Sequence, residues 1–223
     1  MGGNDYLPVI MAQLKVVIVP VSPFQQNCSI IYDDETKIGA VVDPGWDLDR
    51  ITDAVKQTGV KVEKVLITHG HIDHAGGAAE FAEKLGVKVE GPHLADKPIL
   101  DALPVRGDAF GMTGARVLTP DRWLKEGDEV TVGALKFSVI EAPGHSPGSV
   151  VFYNAENKFA LMGDVLFQNS VGRTDLPGGS HETLIKNIKT KILPLGDDVM
   201  FLPGHGGASR IGIERLNNPF LQD

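Results

Sequence analysis

The chain has 223 residues, 42% hydrophobic and 22% charged, with a formal net charge of −8. That is enough apolar material for one large globular domain, and the acidic balance argues against nucleic acid or an anionic membrane as the main partner. A single cysteine, Cys28, excludes an intrachain disulfide; with no signal-peptide pattern and no apolar run of transmembrane length, a reducing cytoplasm is the expected location.

Residues 1–13 are expected to be an N-terminal extension or a cloning remnant, with Met11 an alternative start, and residues 14–223 a single domain. Short β-branched runs predict strands over 14–21, 27–32 and 37–43, with Cys28 buried on the second. Asp43-Pro44-Gly45 is a turn, and the helical spacing of Leu48, Ile51, Ala54 and Val55 predicts a helix over 47–58, closed by Gly59. A buried strand over 62–68 runs into a helix over 75–86, followed by a short strand over 87–90 and a short helix over 95–103. Residues 104–120 read as irregular. Strands over 129–132 and 135–142 pair through Gly133-Ala134, and strands over 149–153 and 158–162 make a second hairpin. Ser180 is the expected cap of a helix over 181–192. A strand over 198–202 and a last helix capped by Ser209 complete the order. Alternating strands and helices of this kind place the chain in the layered α/β class.

The string Thr68-His69-Gly70-His71-Ile72-Asp73-His74 sits in the strand-to-helix turn after 62–68. Imidazoles and a carboxylate this dense suit zinc, iron or manganese. His145 in Pro143-Gly144-His145, Asp164 in Gly163-Asp164 and His205 in Pro203-Gly204-His205-Gly206 each follow another apolar run, beside glycine. A strand fixes the direction of such a side chain, and a small neighbour leaves room for an ion. His93 and His181 lack this setting and read as ordinary histidines.

These residues resemble the metallo-β-lactamase superfamily, from about residue 14 to the end. The segments Gln26-Asn27-Cys28, Val42-Asp43-Pro44-Gly45, Gly163-Asp164-Val165-Leu166-Phe167 and Gly172-Arg173-Thr174-Asp175 resemble its glyoxalase-II-like branch, the hydroxyacylglutathione hydrolases, in their short single-domain bacterial form. The resemblance implies a four-layer αββα sandwich with two divalent metal ions at one edge, zinc first, with iron or manganese as alternatives. By it, His69, His71 and His145 hold one metal, Asp73, His74 and His205 the other, and Asp164 bridges them. Asp73 and Asp164 are then catalytic as well as ligating. Asp43 is either the acceptor that orients a ligating imidazole or a plain turn residue.

The implied activity is hydrolysis of a glutathione thioester, such as S-lactoylglutathione, by a water shared between the metals. Glutathione is anionic, so its site needs a cation; Arg173 is the candidate, with Arg215 second and pairing with Asp175 the alternative for Arg173. The larger glutathione thioesterases carry an added C-terminal helical region for glutathione contacts, whereas here only a short segment follows His205. Other functions stay open: a mononuclear iron persulfide dioxygenase using His69, His145 and Asp164, or a lactonase or β-lactamase of the same superfamily.

Overall fold

The computed structural model describes residues 13–222, so the extension expected over 1–13 lies, apart from Gln13, outside the described residues. Five strands, β1 (Leu14–Val21), β2 (Gln26–Asp33), β3 (Ile38–Val42), β4 (Lys61–Leu66) and β5 (Lys88–Glu90), form the first sheet in that order. The first three are joined by tight turns and pair antiparallel. β3, β4 and β5 run parallel, which requires a crossover at each step. Helix α1 (Leu48–Thr58) makes the first crossover; α2 (Ile72–Ala75) and α3 (Ala78–Leu85) make the second. α3 stops at Gly86, whose φ of 66° is the left-handed conformation a helix C-cap needs.

A 3₁₀ turn (Leu94–Asp96) and helices α4 (Lys97–Asp101) and α5 (Leu103–Ala109) follow. The second half supplies β6 (Glu129–Val132), β7 (Leu135–Glu141), β8 (Val150–Asn154) and β9 (Phe159–Gly163), then a small ribbon of β10 (Leu166–Phe167) and β11 (Ser170–Val171). Helix α6 (His181–Asn187) runs on into a π-helical turn (Ile188–Ile192), before β12 (Met200–Pro203), β13 (Ser209–Arg210) and helix α7 (Ile211–Asn217). The second sheet has the order β13-β12-β9-β8-β7-β6. Only its β9–β12 pair is parallel.

The layering follows from alternation along the strands. Ile30, Val41 and Val65 point outward, to a core shared with Ile51 of α1 and Phe81 of α3. Their neighbours Ile31, Val42 and Leu66 point inward and meet Phe137, Phe152, Leu161 and Leu202 of the second sheet. Val151, Ala160 and Phe201 face a third core with Leu184, Ile188 and Ile211. Three cores between four layers make the expected αββα sandwich. Each fully buried large side chain contributes about 1.5–3 kcal/mol.

Three local expectations need correction. Residues 103–109, read as irregular from Pro104 on, are helical. Pro104 lies in the first turn, where proline lacks no needed hydrogen bond, and a side chain at Gly107 would strike the Met112 carbonyl at 2.5 Å. Ser209 does not cap α7: it lies in β13 and donates its hydroxyl to the buried Glu214 carboxylate. The helix expected over 75–86 is two pieces, broken at Gly76-Gly77. Ser180 does cap α6, accepting from the Thr183 amide at 3.3 Å. Among the described residues no helix is long and apolar enough to cross a membrane.

Candidate metal centre

The strands that precede the histidine and aspartate motifs end at one edge of the sandwich. β9 and β12 are parallel neighbours, and the Gly204 amide donates to the Gly163 carbonyl at 2.8 Å. Asp164 and His205, each just past a strand end, are therefore brought side by side. The two sheets are tied at this edge by the Val150 amide on the Thr68 carbonyl (2.9 Å) and the Asn27 amide on the Gly204 carbonyl (2.7 Å). The Asn27 side chain adds bonds to the Pro203 and Gly206 carbonyls at 3.0 and 2.9 Å.

All seven expected ligands meet there. His69, His71 and His145 form one group of converging donor atoms, and Asp73, His74 and His205 form another. Asp164 lies between them: Oδ1 is 3.4 Å from His74 Nε2, and Oδ2 is 3.5 Å from both His145 Nε2 and His205 Nε2. His205 Nε2 is also 3.1 Å from Asp73 Oδ2. His69, His74 and His145 are buried; His71, Asp73 and His205 are half-buried on the open side.

Hydrogen bonds set the imidazole tautomers. His145 Nδ1 donates to the Arg173 carbonyl at 2.8 Å and His205 Nδ1 to the Phe24 carbonyl at 3.2 Å. A carbonyl only accepts, so both Nδ1 atoms carry protons and both Nε2 atoms are the ones turned into the site. His69 follows by relay. The Thr68 hydroxyl donates to Asp43 Oδ2 at 2.6 Å, so it accepts from His69 Nδ1 at 3.1 Å. Asp43 Oδ2 also receives His74 Nδ1 at 2.9 Å, and Asp43 Oδ1 the Thr68 amide at 2.7 Å. The turn aspartate thus steers His74 directly and His69 through Thr68. The relay through Thr68 has no signature in the spacing of the sequence.

A divalent cation fits this donor set. His69 Nε2 and His145 Nε2 lie 3.2 Å apart, and His145 Nε2 lies 2.9 Å from His71 Nδ1. Three ring nitrogens gathered this closely, with no carboxylate in the group, suit a shared cation. His74 Nε2 and Asp164 Oδ1 are buried without a hydrogen-bond partner, an arrangement that otherwise costs about 1–3 kcal/mol per group. A side chain at Gly204 would fall 2.1 Å from Asp164 Oδ1 and 2.6 Å from His74 Cε1, so glycine keeps this space open.

The two groups differ in electrostatics. Burial pushes the His69 imidazole well below its ordinary pKa, with help from His74, His71 and His145. Burial, then His145 and His74, push His71 down to about 3. Burial also opposes charge on His74, but Asp164, Asp73 and Asp43 outweigh it and raise His74 to about 10. Burial works against the Asp73 carboxylate, yet His74 and His205 hold it well below the usual carboxylate range. His69 and His71 are therefore held neutral, while His74 in the second group holds a proton that a cation would replace.

Two further features were not legible beforehand. Asp96, in the 3₁₀ turn before α4, is fully buried and accepts from the Gly70 amide (2.7 Å), the Ser146 hydroxyl (2.8 Å) and the Gly148 amide (2.6 Å). It braces the loops carrying His69, His71 and His145, yet its partners are too distant in sequence to leave a local signal. A cleft of about 980 Å³ opens over the ligands, with Phe24, Ile99, Leu103, Phe110 and Phe167 on its walls. Arg173 lines it, but its guanidinium is held by Asp175 through Nε–Oδ1 at 2.8 Å and Nη2–Oδ2 at 2.7 Å. Arg215 does not line the cleft; it bonds Asp197 at 2.8 Å and the Leu193 carbonyl at 2.6 Å. Its α7 position, close in sequence to His205, turns it toward that pair.

The chain is similar to known proteins over nearly its whole length. It is 42% identical to a protein of Haemophilus influenzae named hydroxyacylglutathione hydrolase GloC, over 93% of this chain and 98% of that one. Among solved structures it is similar to the BLEG-1 B3 metallo-beta-lactamase, with 35% identity, a TM-score of 0.85 and coverage of 95% of this chain and 100% of that one. It is also similar to TTHA1623, solved in a di-iron-bound form, with 33% identity, a TM-score of 0.83 and coverage of 92% and 100%. Residues 21–205, which hold every converging ligand described above, match the metallo-beta-lactamase superfamily, and the chain belongs to that superfamily as a metallo-hydrolase.

Proposed function

We propose that the protein hydrolyses a thioester of glutathione at a two-cation centre, with His69, His71 and His145 holding one ion, Asp73, His74 and His205 the other, and Asp164 between them. The observation that carries this reading is the complete second trio beside the first, with one carboxylate within reach of both. Divalent cations held there, zinc first and iron or manganese as alternatives, would supply a water acidified toward neutral pH and a Lewis acid for the carbonyl oxygen. The di-iron form of TTHA1623 supports the pairing, and the name of the Haemophilus relative supports the thioester.

The remaining work falls to this chain's own atoms. The Arg173 and Phe24 carbonyls and the Asp43–Thr68 relay hold the Nδ1 side of their rings, so that the Nε2 atoms face the site and can bind a cation. The apolar cleft walls strip water from a bound small-molecule substrate. A thiol with a pKa of about 8.5 leaves readily as thiolate, so no strong general acid is required. Ligands from both sheets support residues 14–223 acting as a single domain.

The test is a metal count joined to a substrate panel. After reconstitution, elemental analysis should approach about two metals per chain. Turnover should be highest on S-lactoylglutathione among a thioester, a lactone, a β-lactam and a persulfide. A ceiling of one iron, with Asp73, His74 and His205 replaceable without loss and oxygen consumed with the persulfide, would replace this reading with a dioxygenase.

A further inference from the structure

Helices α4 and α5, the second running into the segment expected to be irregular, form one wall of the cleft. Ile99, Ala102, Leu103, Arg106 and Phe110 all line it, at the three- and four-residue spacing of one helical face. α5 packs on α2, which carries Asp73 and His74, so this face stands beside the ligands. Phe110 is held at the rim by an edge-on contact with Phe24, ring centroids 5.4 Å apart. The wall is apolar except for one guanidinium.

The charges of the cleft make that guanidinium conspicuous. Among the described residues, Arg106 and Arg173 are the only arginines or lysines lining it. Arg173 already donates two hydrogen bonds to the Asp175 carboxylate, which pairs its charge. Arg106 is exposed, and among the described residues no carboxylate is paired with it. The lining carboxylates, Asp73 and Asp164, are committed to the histidines. An exposed, unpaired planar cation beside apolar side chains suits a carboxylate joined to an apolar body, because its fork of N–H donors matches a carboxylate while the neighbouring side chains cover the apolar portion.

We propose that Arg106 is the specificity-determining cation of this cleft, receiving a carboxylate of the substrate while Ile99, Leu103 and Phe110 cover the substrate's apolar portion. The class of substrate rests on the thioesterase reading above; the position of the anion site rests on the cleft alone.

The experiment uses the metal-loaded protein with Arg106→Ala, Arg106→Lys and Arg173→Ala. It compares S-lactoylglutathione with the neutral N-acetylcysteamine thioester of the same acyl group, and titrates S-methylglutathione, which cannot be hydrolysed, by calorimetry. Arg106→Ala should raise KM for the glutathione thioester by about tenfold with little change in kcat, and weaken S-methylglutathione by about the same factor. The neutral thioester should change by less than about twofold, and Arg106→Lys should recover part of the loss. Equal losses on both thioesters, unchanged S-methylglutathione affinity in Arg106→Ala, no S-methylglutathione binding by the unaltered protein, or a loss confined to Arg173→Ala would overturn the proposal. If the unaltered protein cleaves neither thioester yet binds S-methylglutathione through Arg106, the anion site stands and only the thioesterase reading fails.

Discussion

At the scale of single residues, the site depends on what is absent as much as on the ligands. Gly204 sits against Asp164 Oδ1 and His74 Cε1 at distances no real Cβ could keep, 2.1 and 2.6 Å. Both contacts are with side chains of the site rather than with backbone. Gly204→Ala should therefore spare the fold and displace the ligands. We expect metal affinity to fall by at least about 10–100-fold, the range seen when ligand orientation is disturbed, while the metal-free protein melts within about 4 °C of the unaltered one. Metal titration and a melting curve decide it: a variant that melts much earlier would mean the glycine serves the backbone, and normal affinity would mean that Asp164 and His74 are not ligands. Gly172 makes a useful contrast, because a Cβ there would meet the Asp164 carbonyl at 1.9 Å, and that atom belongs to the main chain.

At the scale of elements, the ligand loops are set by a turn that carries no ligand. Asp96 closes the 3₁₀ turn before α4 and holds Gly70 on one loop and Ser146 and Gly148 on another. Burial raises its pKa, and the three donors work against that rise. Asp96→Ala would leave two backbone amides without an acceptor, at about 1–3 kcal/mol each. The metal-free protein should then lose roughly 4–24 °C in Tm. Asp96→Asn, which keeps one acceptor oxygen, should fall between. Tm values of both variants within a degree of the unaltered protein would show that water can take over these amides and that the brace is dispensable.

At the scale of the whole molecule, the metal centre is a joint between the two sheets. The first sheet contributes the 69–74 loop, and the second contributes His145, Asp164 and His205. An unfolded chain cannot bring these together, so a cation at the proposed centre would bind the native state alone and stabilise it. At a hundredfold excess over Kd the gain is about 2.7 kcal/mol per site, or roughly 5–11 °C in Tm for a chain of this size. Chelation should reverse the shift, and Asp164→Ala should abolish most of it. A shift of equal size in Asp164→Ala would place the stabilising cation somewhere else on the molecule.

Local pattern determined much of this protein. Alternating apolar residues placed nearly every strand and, with turn glycines, the layered α/β class, while the four-layer sandwich came from the family resemblance; the density of histidine in 69–74 and the glycine-flanked His145, Asp164 and His205 identified all seven converging side chains. These signals are legible because a strand end beside glycine is a property of adjacent residues. The tertiary structure alone decided what depends on residues distant in sequence. It turned Asp43 into the orienter of His74 and, through Thr68, of His69. It made buried Asp96 a brace between two loops, directed Arg215 toward Asp197, and closed Arg173 onto Asp175. It also folded residues 103–109 into a helix despite Pro104 and Gly107, and so put Arg106 in the cleft. Proline and glycine read as breakers in one dimension, whereas packing admits the first in an opening turn and requires the second where two segments meet.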